Sequence, residues 1–535
     1  VAQVRSNRLV DDYLAGAPRA AAFYEGNPRD PAAWTAKLAE VRARFGRAER
    51  ERAAAALTPT SARAAERLRR FVDEGGAMVT TGQQAGLFTG PLYTVHKILS
   101  AIRLAEALER ELGVIVLPVF WAASEDHDFA EVNHAWAVSA DGDLCRLSVA
   151  ATSDAAVPMS EMRLGADVET TLDEFAQLVL PQGDAEPWLT LLRDAYRPGA
   201  TVADAFRDAI VGLFADFDLL VTDAAAPALK AASAGVLLAE LAHAAEHERL
   251  VAEQTAALQA AGYTTQVTLV EGATHVFWHG PAGRERLHRD DGGFVAAEAR
   301  RRFTFDELKR LLEADPFALS PNVFLRPVVE STVFPTLAYV GGPAETAYFA
   351  QVRPLFAALG IRTPLVFPRF GATIVLDEVA EARQEMGIDA AELRLPEHAL
   401  WEKVARRHMP AELWARLRAL REGLVAGFGA VAEVGEGIDP NLLAAVGSRR
   451  DRALLEAAKA ERTVVRHFKQ RSGALQREVR RVRNHLHPRG TPQERVLTVF
   501  QYLPHDPALL HRLAEGMVVE FARPPAPAEP VPAGD

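Results

Sequence analysis

The stretch Thr80–Lys97, TTGQQAGLFTGPLYTVHK, constrains this chain more than any other. It follows Ala77-Met78-Val79, which reads as a short buried strand, and it carries Gly82, Gly86 and Gly90 at four-residue intervals. Pro91 suits the first turn of a helix, where an N–H has no helical partner to lose. Val95, Leu99, Ile102, Ala105 and Leu108 recur at three- and four-residue steps, so the helix runs to about Leu112 with one face on a core. A strand, a glycine turn and a helix N-terminus make a cradle for an anion, because free N–H groups and the positive end of the helix dipole converge there. The spacing is neither a dinucleotide fingerprint nor a Walker loop, since no Gly-Lys-Ser or Gly-Lys-Thr follows. A tight strand-to-helix turn that needs glycine only for its backbone accounts for the spacing equally well.

The next strand, Val114–Ala122, is apolar on both faces, as a central parallel strand should be. It runs straight into Ser124-Glu125-Asp126-His127-Asp128, with Glu131, Asn133 and His134 close behind. Three carboxylates and an imidazole at a strand's C-terminal end stand where open α/β sheets place their ligands.

A second block of the same kind begins at Ser320. Val323–Val329 reads as a strand carrying Arg326, and Leu337–Val340 as a further strand. Gly341-Gly342-Pro343 then turns into a helix with Glu345 in its first turn, where a carboxylate complements the dipole. Pro364–Phe367 and Thr373–Leu376 are the last strand candidates, with Arg369 between them. The alternation predicts an α/β chain: a doubly wound, Rossmann-like parallel sheet with an inserted subdomain.

Beyond about Ile388 the pattern changes. Leu413, Leu417, Leu420, Leu424, Phe428 and Val431 form one apolar seam, and Val465, Phe468, Leu475, Val479, Val482 and Leu486 another. With the break at Gly435–Pro440, this predicts a C-terminal helical coiled-coil hairpin whose seams close on each other. The expected division is 1–140 for the N-terminal helices and first half of the core, and 141–215 for an inserted subdomain. Segment 216–387 is the second half of the core, 388–490 the hairpin, and 491–535 a return segment whose last dozen residues are disordered.

A net charge of −11 over 535 residues argues against non-specific binding to nucleic acid. No apolar run is long enough to span a membrane, and the N-terminal residues lack the blocks of a signal peptide, which sets a cytoplasmic expectation. One cysteine, Cys145, rules out an internal disulfide framework and a multi-cysteine zinc site.

TTGQQAGLFTGPLYTVHK, PVFWAASEDHDFAEVNH (Pro118–His134) and the blocks LRPVVES and AYVGGPAETAYFAQV (Leu325–Val352) together resemble the cysteine-adding enzymes of bacillithiol synthesis, the BshC family. The likeness spans nearly the whole chain. Glu330-Ser331 departs from the Gln-Asp pair expected there, and Ala344 from a glycine. The resemblance implies a ligase that joins cysteine to the amino group of glucosaminyl malate, with those two small molecules as partners. Amide formation needs an activated carboxylate, so a nucleotide enters as a candidate partner; the cofactor stays open, with ATP the candidate.

On that chemistry, Gln83, Gln84, Thr89 and Gly90 line the cradle, joined by Asn133, Gly342 and Glu345. His96 and Lys97 supply positive charge to a developing oxyanion, with a core residue as the alternative reading of His96, and no KMSKS-like lysine loop follows. Asp126, His127 and Asp128 hold the amine and take its proton, while Arg326 and Arg369 clamp the malate carboxylates. No resident metal is expected. Two other readings stand beside this one. His127 and His134, with Asp126 or Asp128, form a metal-hydrolase site if the segment between them is helical. A non-catalytic sugar- or nucleotide-binding scaffold is the other. The hairpin's charged flanks suggest a homodimer.

Overall fold

The computed structural model describes residues 2–3, 7–153, 155–281, 283–435 and 438–521; the expectation for the last dozen residues falls outside these. The chain first lays down four strands of the main sheet: β1 (Thr58–Pro59), β2 (Ala77–Gln83), β3 (Val116–Ala122) and β4 (Leu220–Asp223). Five antiparallel strands follow, β5 (Ala273–Gly280), β6 (Gly283–Asp290), β7 (Gly293–Ala296), β8 (Arg301–Phe303) and β9 (Leu319–Pro321). Two more, β10 (Thr336–Gly341) and β11 (Leu365–Pro368), complete the main sheet.

The main sheet runs β11-β10-β2-β3-β4-β1, parallel throughout except for β1 at its edge. Every residue of β3 is buried, because helices cover both faces of a parallel sheet and leave no side for polar alternation. Helix α1 (Tyr93–Leu112) packs on β2 and β3 and ends at Gly113, whose left-handed φ of 63° closes the helix as only glycine does cheaply. Helix α2 (Val202–Leu213) returns the chain to β4, and α3 (Pro227–Ala242) leads into the antiparallel sheet. Helices α4 (Arg326–Val333) and α5 (Pro343–Ala358) flank β10 in sequence.

The parallel strands therefore follow the order 3-2-1-4-5, with β2 first and β10 fourth. The winding direction reverses between them. Open α/β sheets bind ligands outside the strand ends at such a switch point. Both glycine turns, after β2 and after β10, lie there.

Two compact units divide the chain: Val1–Ala137, Arg146–Ala372 and Leu497–Asp535 form one, Val138–Cys145 with Thr373–Val496 the other. The five-part division stays a proposal about finer folding units. In the second unit, α6 (Asp377–Glu385), α7 (Glu397–His408) and α10 (Gly473–Leu486) share a core built on Leu400, Trp401, Val404 and Val482. Helices α8 (Ala411–Gly435) and α9 (Pro440–Arg471) pack on each other as the hairpin.

Three local expectations are corrected. Arg326 opens a helix and not a strand: Asn322 Oδ1 accepts from Phe324 and Leu325 N–H at 2.9 and 3.0 Å, and Pro327 fills the first turn. Thr373–Leu376 joins no sheet. The side chain of Gln493 instead takes the place of a strand, accepting from Ile374 N and donating to Ile374 O, both at 2.8 Å. The two apolar seams do not close on each other as expected. A break at Ser472 separates α9 from α10, so Val479, Val482 and Leu486 turn to the α6–α7 core. The seam on α8 is half-buried at Leu413, Leu417, Leu424 and Phe428, while Leu420 and Val431 are exposed.

Candidate functional site

Lys97 stands one turn into α1 with its ammonium buried, and all three of its donors are taken. Gly82 O accepts at 2.8 Å, Gln83 Oε1 at 2.9 Å, and Glu345 Oε2 lies at 2.6 Å. The same Glu345 oxygen accepts from Gly342 N at 2.8 Å, and Oε1 from the Tyr339 hydroxyl at 2.7 Å. The two glycine turns are thus tied by one ion pair. Burial lowers the Lys97 pKa against the pull of Glu345. Burial alone would raise the Glu345 carboxyl, but Lys97, Gly342 N–H and Tyr339 outweigh it and hold it below the usual range.

An arginine flanks each turn. A Cβ on Gly82 would meet Trp121 O at 2.9 Å and lie 3.6 Å from Arg326 Nη1, so that turn requires glycine and faces a guanidinium. Arg326 donates from Nη2 to Tyr348 at 3.0 Å; its buried Nη1 approaches Glu330 at 3.6 Å and among the described residues makes no hydrogen bond. Arg369 is buried, donates to Phe370 O at 3.0 Å, and has its Nε 3.8 Å from where a Gly342 Cβ would be. Glu330 accepts from Thr80 Oγ1 in a short contact. Burial pushes its carboxyl up to about 7, against Arg326 and Thr80. Lys97 and Arg326 here face two carboxylates, one of them close to half-protonated at neutral pH.

Gln84, next to Gln83, links to a second group. Its Nε2 donates to Asp126 Oδ2 at 2.6 Å and to Glu131 Oε2 at 3.0 Å. Asp126 Oδ1 also accepts from His127 N at 2.7 Å and lies 3.8 Å from His127 Nδ1, which is buried and among the described residues makes no hydrogen bond. Burial raises the Asp126 pKa, but Gln84, Arg284 and the local N–H groups reverse this and leave it lowered.

The remaining sequence candidates fall elsewhere. Asp128 is exposed and caps a single helical turn, Phe129–Val132, through Glu131 N at 3.2 Å. Asn133 bonds Val149 O and Arg146, and lies beside His134. His96 is fully buried in α1. Thr89 and Gly90 lie in a left-handed run with Phe88 (φ 64°, 71° and 50°), stitched by Tyr196. The Tyr196 hydroxyl accepts from Thr89 N at 3.1 Å and donates to Gly86 O at 3.2 Å. Cys145 is partly exposed, and burial together with Asp143 raises its thiol pKa, the reverse of what a nucleophile needs.

The helical premise of the metal reading fails, because a four-residue turn cannot bring His127 and His134 onto one face. Among the described residues no group of three His, Cys, Asp or Glu side chains is arranged to hold a metal. Sequence reasoning missed Tyr339, Tyr348 and Tyr196. The first two sit inside the AYVGGPAETAYF block and could have been found there; Tyr196 had no local signal.

A parallel sheet wound 3-2-1-4-5, an anion-favouring switch point and an appended helical hairpin define a Rossmann-like α/β protein with a coiled-coil arm. The chain matches the model of the bacillithiol biosynthesis BshC N-terminal Rossmann-like domain over residues 1–370, and that of the BshC C-terminal coiled-coil domain over residues 372–518. It belongs to the BshC family. Relatives from Koribacter versatilis and Geobacillus thermodenitrificans are 32% and 30% identical, each over 93% of both chains. One from Solibacter usitatus is 31% identical over 93% of this chain and 92% of its own. All three are named cysteine ligases BshC, with that assignment marked as provisional. Among the described residues no single helix is long and apolar enough to cross a membrane.

Proposed function

We propose that this chain is a ligase that joins the carboxylate of cysteine to the amino group of glucosaminyl malate, at the switch point between its glycine turns. The observation that carries the reading is the gathering of Lys97 and Arg326 against Glu345 and a half-neutral Glu330. A surplus of buried positive charge beside two backbone turns favours an anion, and dipoles fixed in advance cost nothing to reorient as charge develops.

A carboxylate is a poor electrophile, and ATP would supply the leaving group that activates it. The donor set fits a phosphate-bearing group: Arg326 Nη1 lies beside Gly82, and among the described residues it makes no hydrogen bond. Lys97 keeps the two turns in register. Asp126, held by Gln84 and charged at neutral pH, orients His127, whose imidazole takes the proton from the attacking amine.

The seven exposed apolar side chains between Leu420 and Leu455, on α8, α9 and the turn joining them, support a homodimer through the hairpin. A cytoplasmic location goes with the reading, since such a ligase draws on intracellular cysteine and nucleotide. Incubation with cysteine, glucosaminyl malate and ATP, followed by mass detection, should show bacillithiol with stoichiometric AMP or ADP. Neither product nor nucleotide turnover would sink the proposal.

A further inference from the structure

The antiparallel sheet presents a basic face beside the end of β3. Phe277 on β5 stands opposite Arg286 on β6, His279 opposite Arg284, and Ser320 on β9 opposite Phe277. Side chains alternate along a strand, so these five share one face. The Arg284 guanidinium lies 3.9 Å from the centre of the Phe277 ring, and that of Arg286 reaches the same ring at 5.2 Å. Arg284 donates from Nε to Ser320 Oγ and from Nη2 to Pro321 O, both at 2.9 Å, and His279 Nε2 lies 2.7 Å from the same Ser320 oxygen.

These contacts aim the guanidinium without neutralising it. Among the described residues neither Arg284 nor Arg286 has a carboxylate oxygen within 4.0 Å, whereas Arg289 farther along β6 pairs with Glu248 and Arg302 on β8 with Asp290. The nearby acids are committed elsewhere: Glu125 to Lys230 at 2.5 Å, and Asp126 to Gln84. Burial lowers the pKa of both arginines; for Arg284 it outweighs the pull of Glu125 and Asp126. His127 adjoins this face, its ring 6.4 Å from that of Phe277.

The geometry points to a dianionic oxyanion subsite in which Arg284 and Arg286 hold the ligand while Phe277 supports its carbon skeleton. Guanidinium forks match carboxylate and phosphate oxygens bidentately. Resting on the ligase reading, the ligand is the malyl group of the amine substrate, whose two carboxylates meet two arginines beside the base that takes the amine's proton. Arg326 and Arg369 are thereby released from that clamp.

Calorimetric titration of the full chain with L-malate, and separately with inorganic pyrophosphate, tests this without turnover, so failure of the ligase chemistry leaves it decidable. Malate should bind, and Arg284→Gln or Arg286→Gln should weaken it by about tenfold or more. Arg286→Lys should restore part of the loss, and Arg289→Gln should change nothing. Among the described residues the Arg286 side chain makes no hydrogen bond, so its substitution should leave the fold intact even if that of Arg284 does not. If the two variants weaken pyrophosphate and not malate, the subsite stands as a phosphate site and the malyl assignment falls. Failure of the unmodified chain to bind either anion, or unchanged affinity for both in the variants, overturns the proposal.

Discussion

Lys97 and Glu345 are worth more to this molecule as a pair than apart. Removing one partner of a buried ion pair leaves the other charge desolvated, which costs about 3–5 kcal/mol. Lys97→Met should therefore lower stability by that order in chemical denaturation, and Glu345→Gln added to it should recover part of the loss. Recovery of none would mean that each side chain acts through other partners. Glu330 has the opposite character. Its folded pKa, about 7, stands above the ordinary glutamate value, so its contribution to stability is fully present below about pH 4.5. It is lost as pH rises through 7. Glu330→Gln should leave stability at pH 4.5 nearly unchanged and raise it at pH 8 by up to about 3 kcal/mol. Melting curves across that range check it, and a variant no more stable at pH 8 than its parent refutes the assignment.

At the scale of elements, the turn between β2 and α1 is held in an unfavourable backbone by contacts from far along the chain. Phe88 and Thr89 both adopt positive φ, at about 1–2 kcal/mol for each such residue, and the Tyr196 hydroxyl satisfies the groups this exposes. Tyr196→Phe should cost about 1–3 kcal/mol, for a buried N–H and a carbonyl left unmet. It should also weaken anion binding at the turn, which titration with pyrophosphate reads. On the hairpin, a Cβ at Gly423, Gly427 or Gly429 would meet nothing within 4 Å. Alanine at each should stabilise α8 by roughly 0.5–1 kcal/mol, readable as a higher melting temperature. What the sequence disclosed follows the same division. The strand, turn and helix from Ala77 to Leu112 were legible because glycine spacing and apolar period are local signals. Arg326 was misread because the β-branched run after it imitates a strand, while the helix is set by Asn322 and Pro327. The bond from Thr89 to Tyr196 spans 107 positions and leaves no pattern in either segment. The basic face around Phe277 escaped for a like reason, since Arg284 and Arg286 gain their meaning only from strands that pair across a turn and a distant loop.

For the whole molecule, oligomeric state is the first quantity to measure. A hairpin with seven exposed apolar side chains between 420 and 455 calls for a second surface, and a dimer should scatter light at twice 58.1 kDa at micromolar concentration. A 58.1 kDa species would exclude the hairpin as a dimer contact. The return segment carries a different consequence. Leu497 O accepts from Leu92 N at 2.8 Å, and Thr498 Oγ1 donates to Phe88 O at 3.0 Å, so the first glycine turn is finished by residues made some four hundred positions later. On the ribosome, at about 5–20 residues per second, that gap lasts on the order of 20–80 s. Through that interval the nascent chain carries β2, α1 and the Lys97 ammonium with no completed turn to enclose them. A message that stops short of Leu497 would make a protein with every strand of its sheet and an open wound at its centre, and quality control would have that long to find it.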